Sequence, residues 1–392
     1  MGSLEISAQT LFLESYNTAK LPLAIFLSGG TGIIFMIGYF QAKKRLNTRI
    51  LGILNLLFIS LLTGSVTILY LTVNKPVFLF IALVLMFPLI FLVSKGLIDT
   101  ISGSFRSLHI SRLENLMISA KVIGIILIAL LIPLLINLGF QIQNAFTISS
   151  ISITGAFLLQ LYQNPASKNS PQEAKDEDER IEAEKLTFQD IVVRRYTLLI
   201  IGFLALSIIT FVFIFYSFLA LSESQFEDSS SLASFLGFYL TGFILLSIFL
   251  ERVIYPNMIK KFGLRLLLLS SPLVLLFLAG IMDLIWANNG MNTNLTGFGV
   301  VFVFMVLAML FSRSFREAIE NPVIRILLQP LQLSERKQFF EIIQKNIREP
   351  VIMLSGLILM VLTIAGFSLL QINYLLVLLV AAWIYLAFLI YN

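Results

Sequence analysis

The sequence predicts an all-α membrane protein whose chain crosses the bilayer about eleven times. Of its 392 residues, 58% are hydrophobic and only 12% are charged, and the mean hydropathy is +0.94. A soluble domain of this size has roughly a quarter of its residues charged, so the composition excludes an ordinary soluble fold. Apolar stretches of the roughly 20 residues that a transmembrane helix needs recur along the chain. They lie near 21–41, 50–73, 76–98, 113–138, 143–162, 196–221, 231–254, 264–287, 294–313, 350–370 and 373–391.

These stretches fall into two groups. A first bundle of five helices (21–162) and a second of six (196–392) are separated by the one long polar stretch, 163–195. That stretch begins with the breaker-rich Asn164-Pro-Ala-Ser-Lys-Asn-Ser-Pro171 and continues as a run of mixed charge, which is typical of a solvated linker. We therefore interpret it as a cytoplasmic linker between two membrane bundles.

The basic residues predict the orientation. If successive spans alternate in direction, the loops at 42–49, 95–112, 163–195, 251–265 and 313–348 share one side of the membrane, and they hold 24 of the 27 Lys and Arg residues. Lys and Arg accumulate in cytoplasmic loops. We therefore expect a multi-pass protein of the cell inner (plasma) membrane, with its N-terminus outside and its C-terminus in the cytoplasm.

The outer N-terminal segment, residues 1–20, is too short and too polar to span the membrane by itself. One interpretation is the outer end of a leading helix whose remainder is lacking, because five plus six spans resembles six plus six. The other is an interfacial helix that carries Leu4, Leu11, Phe12 and Leu13 on the lipid surface.

Two basic loops are related at an offset of 216 residues. Lys44-Arg-Leu-Asn-Thr-Arg-Ile-Leu51 aligns with Lys260-Lys-Phe-Gly-Leu-Arg-Leu-Leu267, and Asn47 faces Gly263. Both of these residue types tolerate the left-handed backbone that a tight turn between helices would use. The predicted loop motif consists of Lys44, Arg45, Arg49, Lys260, Lys261, Gly263 and Arg265.

This motif resembles the basic loops between helices 2 and 3 and between helices 8 and 9 of the major facilitator superfamily. The resemblance implies two six-helix bundles around a central cavity and transport by alternating access. The chain departs from the family pattern at the acidic residue of each loop, near Ala42 and Lys43 in the first copy and near Ile259 and Lys260 in the second. It also lacks a full-length first helix, so we expect a fold short of that element.

Within the superfamily, the sequence is similar to the nucleotide-translocase-like branch, including bacterial members with HEAT-repeat or cyclic-nucleotide-binding extensions. Leu11–Pro22, Lys261–Arg265 with Ser271-Pro272, and Arg316–Pro350 carry this resemblance. In such relatives the segment like Leu11–Pro22 follows the first helix.

Few residues suit chemistry inside the membrane. An ionisable residue within a span is a candidate functional residue, and Lys121 and Asp283 are the two candidates for substrate binding or ion coupling. Their alternatives are snorkelling for Lys121 and an ordinary interfacial position for Asp283. The chain has no cysteine and a single histidine, His109, so we expect no enzyme activity, no cofactor and no metal site.

The small residues of the spans and the last cytoplasmic loop each have two interpretations. Ser28-Gly-Gly-Thr-Gly32, Gly64-Ser65 and Ser355-Gly356 predict close helix packing, or else flexible points for rocking. The loop 313–349 has Ile324, Leu327, Leu328 and Leu331 at helical spacing, which predicts an amphipathic helix on the lipid surface. Its alternative is a docking surface for a soluble cytoplasmic domain or partner.

Two functional hypotheses follow. The first is a secondary transporter of the major facilitator type, or its membrane domain, with an unidentified substrate. Because few charges are expected in the spans, an apolar or small neutral substrate fits better than a nucleotide, and nucleic acid is not expected as a partner. The second is a non-transporting scaffold or sensor module with the same fold, which acts through a partner or a soluble domain.

Overall fold

The computed structural model describes residues 1–73, 75–102, 107–162, 195–226, 228–289, 295–329, 339, 342–343 and 346–391. The predicted linker, apart from Arg195, lies outside these residues. Within them the chain forms α-helices connected by short turns, with two π-helical turns and one 3₁₀ turn. The predicted all-α fold is confirmed.

Each of the predicted spans coincides with a helix. The α-helices are α1 (Gly2–Tyr16), α2 (Leu21–Arg45), α3 (Thr48–Val73), α4 (Val77–Ser102), α5 (Ser107–Asn137), α6 (Asn144–Tyr162), α7 (Arg195–Gln225), α8 (Ser229–Phe249), α9 (Tyr255–Asn289), α10 (Leu295–Phe315), α11 (Asn321–Leu327), α12 (Arg348–Ile364) and α13 (Leu369–Tyr391). In the described part of the chain, 8 helical stretches are long and apolar enough to cross a membrane, and the longest, Ser229–Trp286, contains two predicted spans.

The first helix is buried inside the protein. Residues Gly2 to Leu13 of α1 are all buried, and the helix packs against α4, α5 and α6 of the first bundle and α8 of the second. Its polar residues Ser3, Glu5 and Gln9 have partners there, so burial does not leave them unsatisfied. The interfacial interpretation of residues 1–20 is therefore wrong, because the side chains face helices and not the lipid surface.

A left-handed backbone was predicted at Asn47 and Gly263, and the structure has it at Gly263 alone of these two. Gly263 has φ 70° and breaks the helix between the basic loop and the rest of α9. The prediction for Asn47 is wrong. Among the described residues Asn17 is the single non-glycine residue with a positive φ, and the chain leaves α2 through an extended Leu46 (φ −115°, ψ 146°) instead.

The protein consists of two halves, α1–α6 and α7–α13. In the first half α3 packs on α4 and α6, and α2 packs on α4. In the second half α13 packs on α7 and α9, and α10 packs on the same two helices. The halves meet where α1 packs on α8 and along two antiparallel helix pairs, α2 with α12 and α5 with α8. We call the membrane side with the Arg45–Thr48 turn and Gly263 the basic side, and the other side the opposite side.

Glycines permit both contacts between the halves, and we call the α2–α12 contact the glycine seam. A methyl group added to Gly29 would lie 2.6 Å from Cα of Met353, and one added to Gly356 would lie 2.7 Å from Cα of Phe26. In the α5–α8 contact, a methyl group on Gly237 would lie 2.7 Å from the carbonyl oxygen of Ala129. The predicted close packing of Gly29 and Gly356 is confirmed.

The seam gives a stability prediction. We expect Gly29→Ala to destabilise the folded protein by about 1–3 kcal/mol, because the added methyl group meets rigid backbone of α12. Gly30→Ala is the matched control, since a methyl group at Gly30 has nothing within 4 Å. Thermal unfolding of both variants in the same detergent measures the difference. Equal melting temperatures for the two variants would show that the halves are not packed as described.

Candidate functional site

The helix that begins as α10 does not end at Arg313. It continues through a π-helical turn, Arg316–Glu320, into α11. Ile324, Leu327 and Leu328 are buried, and the Tyr196 hydroxyl donates a hydrogen bond to the Leu327 carbonyl oxygen at 2.7 Å. The interpretation of residues 313–328 as a loop with an amphipathic helix on the lipid is therefore wrong, because their apolar side chains pack into the second half. Leu331 lies outside the described residues.

An ion pair joins the two halves near the middle of the membrane span. Arg313 of α10 donates through both terminal nitrogens to the carboxylate of Glu5 in α1, with an Nη2–Oε2 distance of 3.0 Å. The Arg313 guanidinium also lies over the Phe243 ring of α8, 4.4 Å from its centroid. Bidentate geometry and an aromatic face favour arginine over lysine at this position.

A second acidic group is held by serine hydroxyls. Ser207 of α7 and Ser271 of α9 donate hydrogen bonds to the two carboxylate oxygens of Glu320, at 2.6 and 2.7 Å. Arg316 donates to the carbonyl oxygen of Ser207 at 2.6 Å and to its hydroxyl at 3.1 Å, and lies 4.5 Å from the centroid of the Phe211 ring. The π-helical turn places Arg316 and Glu320 on the same network, and such turns are frequent at functional sites.

A third pair lies where α12 begins. Arg348 Nη1 is 3.8 Å from Glu349 Oε1, and the Arg348 guanidinium lies 4.2 Å from the centroid of the Phe91 ring in α4. Glu349 is 1% exposed and faces Gly32 of α2. Arg316 is close enough to Arg348 for the two charges to interact. We call Glu5, Arg313, Arg316, Glu320, Arg348 and Glu349 the central charged cluster.

Part of this cluster is accessible although protein surrounds it. The Arg313 and Arg348 side chains are 20% and 32% exposed, and Glu317, beside Arg316, is exposed. Ionised groups at this depth require water or a partner. The described residues therefore enclose the cluster only in part. Among the described residues, no three acidic or histidine side chains are grouped as metal ligands.

The two predicted candidates lie elsewhere or cannot be placed. The side chain of Lys121 lies outside what the structure describes. Asp283 Oδ1 accepts a hydrogen bond from the Asn373 amide at 2.6 Å, so it joins α9 to α13 within the second half. Asp283 is half-buried there, and its role in binding or coupling stays a prediction.

The basic loop motif lies at one end of the protein. Lys44, Arg45, Lys260 and Lys261 are exposed, and the Arg265 guanidinium packs over the rings of Phe388 and Tyr391, 5.4 and 5.0 Å from their centroids. The acidic residue that the first loop lacks has a counterpart in α4. Asp99 lies 3.5 Å from Lys43 and 3.7 Å from Lys95, and accepts a hydrogen bond from the Tyr39 hydroxyl at 2.8 Å.

The sequence interpretation missed the central charged cluster. Arg313, Arg316 and Glu320 lie within the apolar stretch from Gly299 to Leu327. They are spaced three and four residues apart, which is the spacing of one face of a single helix. A basic residue after an apolar stretch also marks the end of a span. For that reason the sequence prediction ended the span at Arg313. Glu5 gave no such signal, since its partner is 308 positions away.

Comparison with known proteins supports the fold. By sequence the chain matches no protein-family profile and no curated protein. Its structure is similar to that of a mutant of the nucleoside transporter NupG, with a TM-score of 0.66 and 12% identity over 100% of this chain and 96% of that chain. A POT family transporter in complex with a thioalcohol-conjugated peptide has a TM-score of 0.62 and 12% identity, covering 99% and 92%. A bacterial homologue of the iron transporter ferroportin, in an inward-facing state, has a TM-score of 0.55 and 13% identity over 97% of this chain and 96% of that chain. The fold is therefore that of major facilitator transporters.

The ion pair between the halves gives a second prediction. We expect Glu5→Gln to destabilise the protein by about 3–5 kcal/mol, because it leaves the Arg313 charge without its partner. The double variant Glu5→Gln with Arg313→Gln should regain a large part of that loss. A double-mutant cycle by thermal unfolding measures the coupling, with the exposed Arg325→Gln as control. Additive losses would mean that the two side chains do not interact.

Proposed function

We propose that this chain, which has the fold of major facilitator transporters over its full length, is a secondary transporter that works by alternating access. The observation that carries the proposal is the central charged cluster. Its ion pair between Glu5 and Arg313 is shared by the two halves, so relative motion of the halves changes the environment of buried charges. Charged groups that are expensive to bury are expected where a membrane protein binds or couples ligands.

The contacts between the halves fit one end state of such a cycle. Gly29 and Gly356 of the seam and Gly237 of the α5–α8 contact lie about 10–15 Å from the opposite-side ends of their helices, at 1.5 Å per residue. The halves are thus packed together on the opposite side. We infer that the cluster is reached from the basic side in this state.

We propose the predicted orientation, with the N-terminus outside and the basic side in the cytoplasm of the cell inner membrane. Removing Arg313, Arg316 and Arg348 from the sequence count leaves 21 of the 27 Lys and Arg residues in the loops predicted to share one side. The charge bias that supports this orientation therefore survives the correction of the loop at 313–349.

The substrate can be sought by testing the uptake of candidate compounds. The cluster adds arginines that the sequence interpretation did not expect, so the preference for an apolar or neutral substrate loses its main support. The similar structures include a nucleoside transporter, a transporter in complex with a conjugated peptide and a homologue of an iron transporter. Uptake of a nucleoside, a dipeptide and ferrous iron into proteoliposomes is therefore the first panel. The similarity to the nucleotide-translocase-like branch stays a proposal. A nucleotide is therefore the fourth compound to test for uptake.

The alternative function is a non-transporting scaffold or sensor with the same fold. The departures of the two basic loops from the family pattern favour it. Such a protein would act through a soluble cytoplasmic domain or partner, for which residues 313–349 were the predicted docking surface. Burial of Ile324, Leu327 and Leu328 restricts that surface to the rest of the segment.

Distance measurements between spin labels distinguish the two functions. The chain has no cysteine, so introduced cysteines are the only labelling sites. Asn47 and Phe262 are exposed on the basic side, and Leu138 and Phe367 are exposed on the opposite side. We expect the doubly labelled pairs Asn47→Cys/Phe262→Cys and Leu138→Cys/Phe367→Cys to show two populations each in nanodiscs, since alternating access opens one side as it closes the other.

The control is the pair Asn47→Cys/Leu138→Cys, which lies within the first half and should show one distance. If both pairs between the halves show a single fixed distance under all conditions, including those of the substrate panel, the transporter proposal fails and the scaffold is favoured.

A further inference from the structure

We propose that Glu349 is the proton-binding group of this protein, and that its protonation stabilises the closed glycine seam between α2 and α12. The inference rests on the proposed transport function and names its coupling ion. In the step itself, the Glu349 carboxylate takes up one proton from the aqueous space and becomes a neutral carboxylic acid, while Arg348 keeps its charge.

The first observation is the burial of Glu349. Its side chain is 1% exposed, and its Oε2 has no hydrogen-bond partner in the described part of the protein. The carboxyl group lies directly on α2, because a methyl group added to Gly32 would be 2.7 Å from Cδ and 3.1 Å from Cγ of Glu349. A buried carboxylate with an unsatisfied oxygen is costly, and protonation removes the charge.

The second observation is the contrast with the other buried acidic residues. Both oxygens of Glu5 accept hydrogen bonds from Arg313, and both oxygens of Glu320 accept hydrogen bonds from serine hydroxyls. Asp99 accepts from Tyr39 and lies near two lysines. Each of these carboxylates thus has hydrogen-bond donors, whereas Oε2 of Glu349 has none among the described residues.

The charges around Glu349 do not replace the missing partner. On its own helix, Arg348 approaches Oε1 to 3.8 Å, beyond hydrogen-bond distance, while it stacks on Phe91 of α4. Arg316 of the π-helical turn interacts electrostatically with Arg348. The facing segment of α2 from Ile25 to Gly32 contains no titratable residue. On α7, which also packs on α12, the Tyr196 hydroxyl is bonded to Leu327, and Glu223 near the other end accepts from the backbone of Thr18.

The third observation is the position of Glu349 at the end of the seam. Gly29 lies against Met353, Gly32 against Glu349, and Phe26 against Gly356, so the seam runs from the opposite side to about mid-membrane and ends at Glu349. Beyond it, Arg348 is partly exposed. Glu349 is therefore buried while the seam is closed, and under the proposal it is hydrated when the seam opens.

The direction of the pH effect follows by linkage. The closed seam favours the protonated form, so it binds the proton more tightly than the open seam does. Closure is therefore favoured at low pH, and opening is favoured as the pH rises. A single linked proton changes the ratio of open to closed protein by at most about tenfold per pH unit.

The experiment follows opening of the opposite side with the Leu138→Cys/Phe367→Cys label pair. The full chain, in phosphatidylcholine nanodiscs, is measured between about pH 5 and about pH 9, the range over which a displaced carboxyl group would titrate. We expect the open fraction to rise with pH. In Glu349→Gln, whose amide resembles the neutral acid, the seam should stay closed and the pH response should be lost. Glu349→Asp keeps an ionisable group and should restore a pH response.

Glu251→Gln is the matched control, because Glu251 is exposed on the basic side, and it should respond as the unmodified protein does. A pH response that persists in Glu349→Gln would overturn the assignment, as would alternation between two states that does not depend on pH at all. Either result leaves alternating access intact. If neither label pair shows a second population under any condition, substrates included, both the transport proposal and the proton-site proposal fail.

Discussion

The bidentate ion pair between Glu5 and Arg313 is the interaction on which the rest of this structure depends. It lies among helices that must remain in lipid, where an unpaired charge is costly, and its two members belong to different halves of the protein. The pair links α1 to α10, while α1 also packs on α8 of the second half. Separating the halves at this level requires that water or another ligand replace each partner.

Two kinds of contact between the halves complement each other. The glycine seam and the contact at Gly237 are tight and mostly apolar, and they occupy the opposite-side half of the membrane. The central charged cluster lies where these contacts end. A tightly packed seam with a partly exposed cluster at its end fits the alternating access proposed above. Glu349 lies at the boundary between the two environments.

Much of the fold could be predicted from the sequence, because apolar stretches of span length separated by turns define helices in a membrane. The close packing of Gly29 and Gly356 and the left-handed Gly263 were also predictable, since small residues and glycine have few other uses at such places. Asn47 shows the limit of that reasoning. Its residue type permits a left-handed backbone without requiring one, and the chain leaves α2 through an extended Leu46 instead.

The candidate site was largely missed for a physical reason. Basic residues after an apolar stretch mark either the cytoplasmic end of a helix or buried charges with distant partners, and local patterns do not separate the two. Arg313 and Arg316 are the second case, because Glu5 in α1 and Ser207 in α7 compensate them from elsewhere in the chain. Asp283, which a local pattern did identify, bonds to Asn373 within one half.

The most direct measurement is the accessibility of Glu317, the exposed residue that follows Arg316 of the central charged cluster in the sequence. In an otherwise cysteine-free chain, Glu317→Cys provides a single thiol that a membrane-impermeant reagent can modify from either side of oriented vesicles. With the opposite side held closed by Glu349→Gln, we expect modification from the basic side and protection from the opposite side. Modification at equal rates from both sides, or from the opposite side alone, would contradict a central site that opens to one side at a time.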